Sequence, residues 1–313
     1  MNGKLFIERQ GINTTFQDEG RFNLQHLGIP PSGCMDIFLS RLANKLVGNE
    51  FNQAVIEFAY QGPLFKVISG EAHISITGNV KFEITKDSGD RIEGLSNSSF
   101  YLKKGDKLNI ISTIESIYGY LSIEGGFKLQ EVKNSFSTLI KAKIGPNKGE
   151  KICDKQEIIF LGKKENKNKK VFFQKDESET IRVLNGLQYD FFSKKSINDF
   201  YSNAYTVTNL TDRMGSRLDG IQLLNIKTPN IKSEGIAKGS IQIPGDGLPI
   251  ALLSDHPTIG GYPKIANIIS ADYGKFVQKP PGSKIKFQLV DLNLAEREFD
   301  QYTEAHNAIL NSI

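Results

Sequence analysis

Short apolar runs, some continuous and some alternating with polar residues, fill most of the chain. Residues 64–68 form a compact apolar run after the Gly62-Pro63 turn, and residues 73–77, HISIT, alternate. Residues 108–123 are rich in Ile, Leu and Tyr, with polar residues between them. Both patterns are typical of β-strands. The hydrophobic pattern therefore predicts a mainly β protein.

Three segments carry apolar residues at helical spacing. Residues 36–47 place theirs mainly on one side and end at Gly48-Asn49, a typical helix C-terminus. A short helix is predicted after Ser196. A last helix is predicted from about residue 294 to the C-terminus, because its apolar residues share one face: Phe299, Tyr302, Ala305 and Ile309. We therefore expect a few helices on a β framework.

The length of 313 residues predicts about two domains, each with its own core. Residues 163–170, KKENKNKK, hold five lysines and one glutamate, which equals the whole formal net charge of +4. A solvated linker explains this basic run better than a nucleic-acid surface. We expect an N-terminal domain over 1–162, a Lys-rich linker over 163–178 and a C-terminal domain over 179–313.

An internal similarity indicates that the two halves are related. Residues 101–110, YLKKGDKLNI, resemble residues 278–287, QKPPGSKIKF. Each segment is a turn with glycine followed by an alternating strand, an arrangement that is also common between unrelated strands.

Several functions are disfavoured by what the sequence lacks. Cys34 and Cys153 fit no metal or redox spacing and the four histidines are scattered, so we expect a metal-free protein in a reducing compartment. Glu8 and Arg9 interrupt the N-terminus where a signal peptide needs an apolar core, and no run approaches the roughly 18 apolar residues of a membrane span. We therefore expect a cytoplasmic protein without membrane contact.

Nucleotide and biotin motifs are also missing. No G-x-x-x-x-G-K-[ST] occurs, so ATP binding of the P-loop type is excluded. No G-x-G-x-x-G follows a strand, which disfavours a dinucleotide fold. None of the three methionines lies beside a lysine, so the chain lacks the Ala-Met-Lys-Met site for covalent biotin.

The densest candidate chemistry lies in residues 242–264, QIPGDGLPIALLSDHPTIGGYPK. The pattern predicts a tight turn, a buried strand at 250–253 and a loop with a glycine pair at 260–261. Glycines allow backbone N–H groups to converge on an anion or a carbonyl oxygen. Two acids and two donors accompany them, as bases or cation ligands and as donors to an oxyanion respectively: Asp246, Asp255, Tyr262 and Lys264.

Three further clusters each have a functional and a structural interpretation. Asp18 and Arg21, in residues 17–21, form either a site or a locked turn. Ser32 or Asp36 either caps the following helix or lies at an anion site made by its N-terminus. Residues 211–217 carry two arginines and an acid, which bind a carboxylate or phosphate or form a salt-bridge cluster.

These segments together resemble the allophanate hydrolase subunit 2 family, whose members are also described as biotin-dependent carboxyltransferases or as the C-subunit of 5-oxoprolinase. The family includes the antagonist of a sporulation kinase inhibitor. The motifs are residues 14–21, TTFQDEGR, 32–36, SGCMD, 41–44, RLAN, 212–215, DRMG, and 242–264. The similarity keeps its order from about residue 10 to about residue 290. It implies two cyclophilin-like β-barrel lobes.

The resemblance implies a hydrolase acting on a cyclic amide: the C-subunit of an ATP-dependent 5-oxoprolinase, which opens 5-oxoproline to L-glutamate. Implied partners are a B-subunit-like protein of the allophanate hydrolase subunit 1 family and an A-subunit-like protein, with ATP bound by or shared with a partner. The catalytic candidates are Asp18, Arg21, Asp212, Arg213, Asp255 and Lys264. The substrate-binding candidates are Thr15, Gln17, Ser32, Gly33, Arg217, Gln242, Asp246, Thr258, Gly260, Gly261 and Tyr262.

Two alternatives stay open. One is a component of a biotin-dependent carboxyltransferase acting on urea or a related amide, since urea, biotin and 5-oxoproline all present an N–C=O group. The other is a non-enzymatic regulator that binds a kinase-inhibitor-like partner. Departures from the family pattern favour the regulator slightly, and they lie at Asn79-Val80, Lys128 and His256-Pro257.

Overall fold

Strands account for most of the elements in the computed structural model, which describes residues 2–162, 167–224 and 230–313. The chain divides into two compact units. The first comprises Met1–Arg21, Ser32–Gln174 and Asn307–Ile313, and the second comprises Phe22–Pro31 and Lys175–His306. The break between Gln174 and Lys175 falls inside the predicted linker, 163–178, whose residues 163–166 lie outside the described part.

The first unit contains two antiparallel sheets. The six-stranded sheet has the order β11-β1-β4-β9-β6-β7, and the five-stranded sheet has the order β2-β3-β10-β5-β8. The strands are β1 Asn2–Arg9, β2 Thr15–Gln17, β3 Val55–Ala59, β4 Leu64–Ser69, β5 Ala72–Thr77, β6 Val80–Thr85, β7 Arg91–Glu93, β8 Ser98–Leu102, β9 Lys107–Thr113, β10 Tyr118–Ile123 and β11 Glu157–Leu161.

Alternation along these strands separates an apolar core from a polar layer. Ile74, Ile76, Leu121 and Ile123 have no exposed surface and belong to one core cluster. The intervening hydroxyls are also buried, because they bind the helix α1, Ile37–Leu46. The Ser75 hydroxyl donates to the carbonyl of Ala43 at 2.6 Å, and that of Thr77 to Leu39 at 2.7 Å. The five-stranded sheet therefore has one apolar and one hydrogen-bonding face.

The second unit contains a closed seven-stranded barrel of order β12-β19-β16-β17-β14-β13-β20, with β12 and β20 parallel, and a separate β15-β18 pair. The strands are β12 Thr180–Asn185, β13 Ala204–Thr211, β14 Gly215–Asp219, β15 Glu234–Gly235, β16 Ser240–Gln242, β17 Ile250–Leu252, β18 Ile259–Gly260, β19 Lys264–Ile268 and β20 Lys284–Leu289. The mainly β class is confirmed, and the barrel agrees with the expected cyclophilin-like lobe.

The helices agree with the sequence pattern except for one. The helix α2, Lys194–Ser202, begins just before Ser196, because Ser193 caps it by accepting a hydrogen bond from the amide of Ser196. The helix α3, Ser270–Val277, was not predicted, whereas the last helix, α4, covers Leu292–Asn311. None of the described helices is long and apolar enough to cross a membrane.

The predicted linker makes contacts within both units. In the first unit, the amide of Ser99 donates to the carbonyl of Lys169 at 2.8 Å, and Lys170 bridges to Ser98 beside β8. In the second unit, the amine of Lys275 donates to Asp176 at 2.8 Å. The described part of this segment is therefore held at both ends.

Candidate functional site

Asp18 is the centre of a buried hydrogen-bond network in the first unit. Its Oδ1 accepts from the amide of Gly20 at 2.9 Å and from the hydroxyls of Ser135, at 2.7 Å, and Ser137. Its Oδ2 accepts from the amide of Phe136 at 2.6 Å. A carboxylate has about four acceptor positions. The acceptor capacity of Asp18 is thus largely used in joining residues 18–20 to 135–137.

The side chains beside Asp18 extend this contact. Arg21 is buried and its Nη2 donates to the carbonyl of Ser137. The amide nitrogen of Gln17 donates to the Thr15 hydroxyl and to the carbonyl of Thr138, both at 3.0 Å. The structure thus brings together four of the predicted residues, Thr15, Gln17, Asp18 and Arg21, along one segment, 135–138, that the sequence reasoning did not identify.

Ser32 and Gly33 form a left-handed turn in the same unit. Their φ angles are +57° and +86°. A Cβ on Gly33 would lie 2.8 Å from the carbonyl oxygen of Glu19, so only glycine fits there. The Ser32 hydroxyl is buried and has no hydrogen-bond partner in the described part of the chain. Left-handed backbone at a residue other than glycine is often found at functional sites.

Asp36 caps α1, since its Oδ1 accepts from the amide of Leu39 at 3.2 Å. The amides before the helix have buried partners from two strands. Met35 donates to Glu57 Oε2 at 2.7 Å, and Asp36 donates to the hydroxyl of Tyr120 at 2.7 Å, which itself donates to Glu57 at 2.9 Å. Burial and the nearby Glu57 carboxylate raise the pKa of Tyr120 well above its usual value. The structure therefore supports the capping interpretation of Asp36.

Arg213 and Asp255 form a buried bidentate ion pair in the second unit. The guanidinium Nε lies 2.9 Å from Oδ2 and Nη2 lies 3.0 Å from Oδ1. Both side chains are 7% exposed. The amide of Asp255 also donates to the carbonyl of Arg213 at 2.8 Å. The planar guanidinium and the planar carboxylate match in this bidentate geometry. The pair therefore fixes the start of the predicted loop to the segment after β13.

The other charged residues of residues 211–217 lie nearer to solvent. Asp212 is exposed, and its Oδ1 accepts from the amides of Met214, at 2.7 Å, and Gly215, at 3.2 Å, in a side-chain turn. Arg217 pairs with Asp246, whose side chain is 44% exposed. The structure thus brings Arg217 and Asp246 together, and it gives Asp212 a local role.

Lys264 forms an ion pair with Glu234, a residue that the sequence reasoning missed. Lys264 is 4% exposed, and its amine donates to Glu234 Oε1. Gln188 donates to the same oxygen at 2.7 Å and accepts from the backbone amide of Lys264 at 3.2 Å. The hydrogen bond from Lys264 lowers the pKa of Glu234. No local motif marks Glu234 or Gln188, which lie far from Lys264 in sequence.

The glycine loop after Asp255 pairs with the strand that carries Glu234. Glu234 is opposite Gly260 in the β15-β18 pair, and the amide of Ile231 donates to the carbonyl of Gly261 at 2.8 Å. A Cβ on Gly260 would overlap Ile236. Thr258 accepts from the amide of Ile236 at 3.1 Å through its carbonyl. The predicted loop is therefore half of a short two-stranded ribbon.

Gln242 and Tyr262 lie beside this ribbon. Gln242 opposes Lys264 in the β16-β19 register, and its amide nitrogen donates to the carbonyl of Tyr262 at 3.5 Å. Tyr262 is 40% exposed, whereas Lys264 is 4% exposed.

The departures from the family pattern occupy structural positions. His256 is buried, its Nδ1 lies 2.8 Å from the carbonyl of Pro257, and burial lowers its pKa. Asn79 donates to the carbonyl of Ile114 at 2.8 Å, and Lys128 is exposed. Among residues 2–162, 167–224 and 230–313, no group of three His, Cys, Asp or Glu side chains is placed to hold a metal ion.

The barrel, the ribbon and the paired cations all lie within the stretch that matches a carboxyltransferase domain. The family model for the carboxyltransferase domain, subdomains A and B, matches residues 27–289, and the chain belongs to this family. The resemblance drawn from the motifs is thereby confirmed.

Relatives named as the C-subunit of 5-oxoprolinase match over most of their length. The protein of Haemophilus influenzae is 34% identical over 284 residues, covering 90% of both chains. That of Escherichia coli is 32% identical over 284 residues, with the same coverage.

Longer proteins contain a similar region. The urea amidolyase of Saccharomyces cerevisiae is 29% identical over 305 residues, which cover 90% of this chain but 16% of that protein. The solved structure of the Kluyveromyces lactis urea amidolyase superposes with a TM-score of 0.86 at 24% identity, over 98% of this chain and 20% of that chain. This structural match shows the shared fold.

Proposed function

We propose that the chain is the C-subunit of an ATP-dependent 5-oxoprolinase, a hydrolase that opens the lactam of 5-oxoproline to give L-glutamate. The observation that carries the proposal is the similarity to two proteins named as this component of 5-oxoprolinase, which spans 90% of both chains in each comparison. The urea amidolyase comparison covers only 16% of the longer protein. The oxoprolinase role is favoured because these two similarities cover most of both chains.

The second unit supplies the groups that the reaction needs at the carbonyl. A lactam is inert until charge developing on its oxygen is stabilised, and a buried ammonium donor is suited to this task. We assign the donor role to Lys264, with Tyr262 at the exposed side of the same loop. Both oxygens of Asp255 accept from Arg213. We therefore assign Asp255 the role of holding Arg213, in place of the role of base or cation ligand predicted from the sequence.

The residues of this unit fit ATP poorly. Arg213 and Lys264, the two buried cations of the predicted site, are each paired with a carboxylate, which neutralises the charge that a triphosphate would need. We therefore assign ATP to a partner protein. The proposed partners are a B-subunit-like protein and an A-subunit-like protein, and the proposed location is the cytoplasm.

Glutamate release from 5-oxoproline and ATP tests this function in the assembled complex. We expect turnover by the chain with its two partner proteins and none by the partners alone. Lys264→Met should lower kcat by about 10²–10³-fold, the usual effect of removing one oxyanion donor. Lys286→Met, which removes an exposed lysine of the same barrel, is the matched control and should keep full turnover. Turnover without this chain would overturn the proposal.

A second candidate is a carboxyltransferase component acting on urea. It is favoured by the family model and by the similarity to the S. cerevisiae urea amidolyase. Because the chain lacks Ala-Met-Lys-Met, the biotin would have to be on another protein. Transfer of labelled carboxylate from a biotinylated carrier to urea, without ATP-dependent glutamate release, would favour this candidate. The regulator hypothesis stays a prediction that the structural positions of the departures do not strengthen.

A further inference from the structure

Lys264 is a buried cation whose carboxylate partner comes from a separate strand. Its side chain is 4% exposed, whereas that of Glu234 is 38% exposed. Glu234 thus reaches the amine from the solvent side. The same oxygen of Glu234 also accepts from the side-chain amide nitrogen of Gln188 at 2.7 Å.

Gln188 connects both members of the pair to the barrel. Its side-chain oxygen accepts from the backbone amide of Lys264 at 3.2 Å, and its backbone amide donates to the Lys264 carbonyl at 3.2 Å. These two bonds fix Gln188 to β19, so its third bond sets where the Glu234 carboxylate lies. The turn needs Gly186, because a Cβ there would overlap the Lys264 carbonyl.

The ribbon fixes the backbone of Glu234. Glu234 opposes Gly260, and residues 231 and 236 donate to the carbonyls of Gly261 and Thr258 at 2.8 and 3.1 Å. The candidate substrate loop is therefore paired with the strand that carries the carboxylate holding the lysine. A displacement of this loop would move both the backbone donors and the partner of Lys264.

We propose that Glu234 is a positioning residue, which aims the Lys264 amine for donation to a substrate carbonyl, with Gln188 setting the geometry of the pair. The proposal rests on the function proposed above, which gives Lys264 its donor role. Among the described neighbours of Lys264, Glu234 supplies the opposite charge. Gln188 and Gln242, the register partner of Lys264, are neutral amides. A lysine buried without a counter-charge loses its proton more easily.

The pair also favours one class of ligand. A lysine–glutamate pair carries no net charge, so it attracts an anion weakly, but the remaining N–H groups of the ammonium can still donate to a neutral oxygen. The neutral carbonyl of a small amide or lactam fits this description better than a phosphate. This deepens the proposed function by naming the part of the substrate that Lys264 contacts.

An NMR measurement on the isolated chain tests the pairing directly. The chain is labelled with ¹³Cε-lysine, and the Lys264 signal is assigned with Lys264→Arg. In Glu234→Gln we expect the ¹³Cε signal of Lys264 at neutral pH to move relative to the unaltered chain, because the amine loses its ion-pair partner. Glu234→Asp, which keeps the charge, should restore most of the difference. Asp199→Asn, which removes the ion-pair partner of the exposed Lys195, is the control and should change nothing.

The pH profile of the complete complex then tests the catalytic consequence. In Glu234→Gln the alkaline limb of kcat/KM for glutamate release should move to lower pH. An unchanged Lys264 signal would overturn the pairing, and a moved signal with an unchanged pH profile would overturn the positioning role. If the unaltered complex releases no glutamate, the proposed function fails, while the NMR signal still decides whether Glu234 is paired with Lys264.

Discussion

The guanidinium of Arg213 and the carboxylate of Asp255 meet through two hydrogen bonds of 2.9 and 3.0 Å in the interior of the second unit. Breaking a buried pair by removing one partner costs about 3–5 kcal/mol, because the remaining charge is left uncompensated. Asp255→Ala should therefore reduce the free energy of unfolding of this unit by about that amount. Hydrogen exchange of the barrel amides measures it without requiring the two units to unfold together.

The double variant Arg213→Met/Asp255→Leu should lose much less than the sum of its single variants, since no charge is left alone. Asp199→Asn breaks the pair with the exposed Lys195 and should cost about 0.2–1 kcal/mol. Additive losses in the double variant would show that the pair is not coupled.

Gly186→Ala should perturb Lys264 although it replaces no side chain of the candidate site. The added methyl would overlap the Lys264 carbonyl backbone, so the turn or β19 must shift. We expect a loss of about 1–3 kcal/mol in stability, and a change in the Lys264 NMR signal. Gly235→Ala is the matched control, because a Cβ there meets no atom within 4 Å. Equal effects of the two substitutions would contradict this account.

Stability should fall as the pH drops below the ordinary histidine range. His73 is buried, its Nδ1 lies 3.1 Å from Glu124, and burial lowers its pKa from 6.5. Burial likewise lowers the pKa of His306 to about 4. A depressed histidine pKa means that the unfolded chain binds more protons in this window, so stability present above pH 6.5 is lost as the pH falls through the folded values.

The variant His73→Asn keeps a donor near Glu124 but cannot titrate. A plot of Tm against pH between about 7.5 and 5 should therefore be flatter for this variant than for the unaltered chain. A slope that stays the same would exclude His73 as a contributor.

The two candidate caps of α1 should respond differently to substitution. Asp36→Ala removes the bond to the Leu39 amide and should cost about 1 kcal/mol. Ser32→Gly relieves a left-handed serine with φ +57° and should be neutral or stabilising by up to about 1 kcal/mol. Thermal unfolding compares the two directly. A larger loss for Ser32→Gly than for Asp36→Ala would reverse the capping assignment.

The internal similarity in the sequence corresponds to a repeated local structure. Gly105 donates to the carbonyl of Val67 at 2.9 Å, and the amide of Val67 donates to Asp106 at 2.9 Å. The second unit repeats this with Gly282, Val207 and Ser283, at 2.8 and 3.0 Å. Both glycines have positive φ, a requirement that leaves a visible mark in sequence. Turn chemistry of this kind is local and could therefore be predicted.

The partners of the site residues could not be predicted in the same way. Glu234 is 30 positions from Lys264, and Glu57 is 63 positions from Tyr120. No spacing rule connects such residues, because the barrel and sheet topology brings them together. The sequence indicated Lys264 and Asp255 because glycines and acids lie near them in the chain. It could not show that both oxygens of Asp255 accept hydrogen bonds from Arg213. Local motifs thus indicated the segments, and tertiary pairing set their roles.

Two outer strands of the first unit are covered by neighbouring segments, which affects how the chain behaves on its own. Residues 126–128 bond to β11, where Lys128 donates to Ile159 at 2.8 Å, and residues 169–171 bond to β8. The barrel of the second unit is closed. Unpaired strand edges recruit other chains into aggregates. A chain with these two edges covered presents fewer unpaired edges, and we expect it to be purified alone without forming fibres.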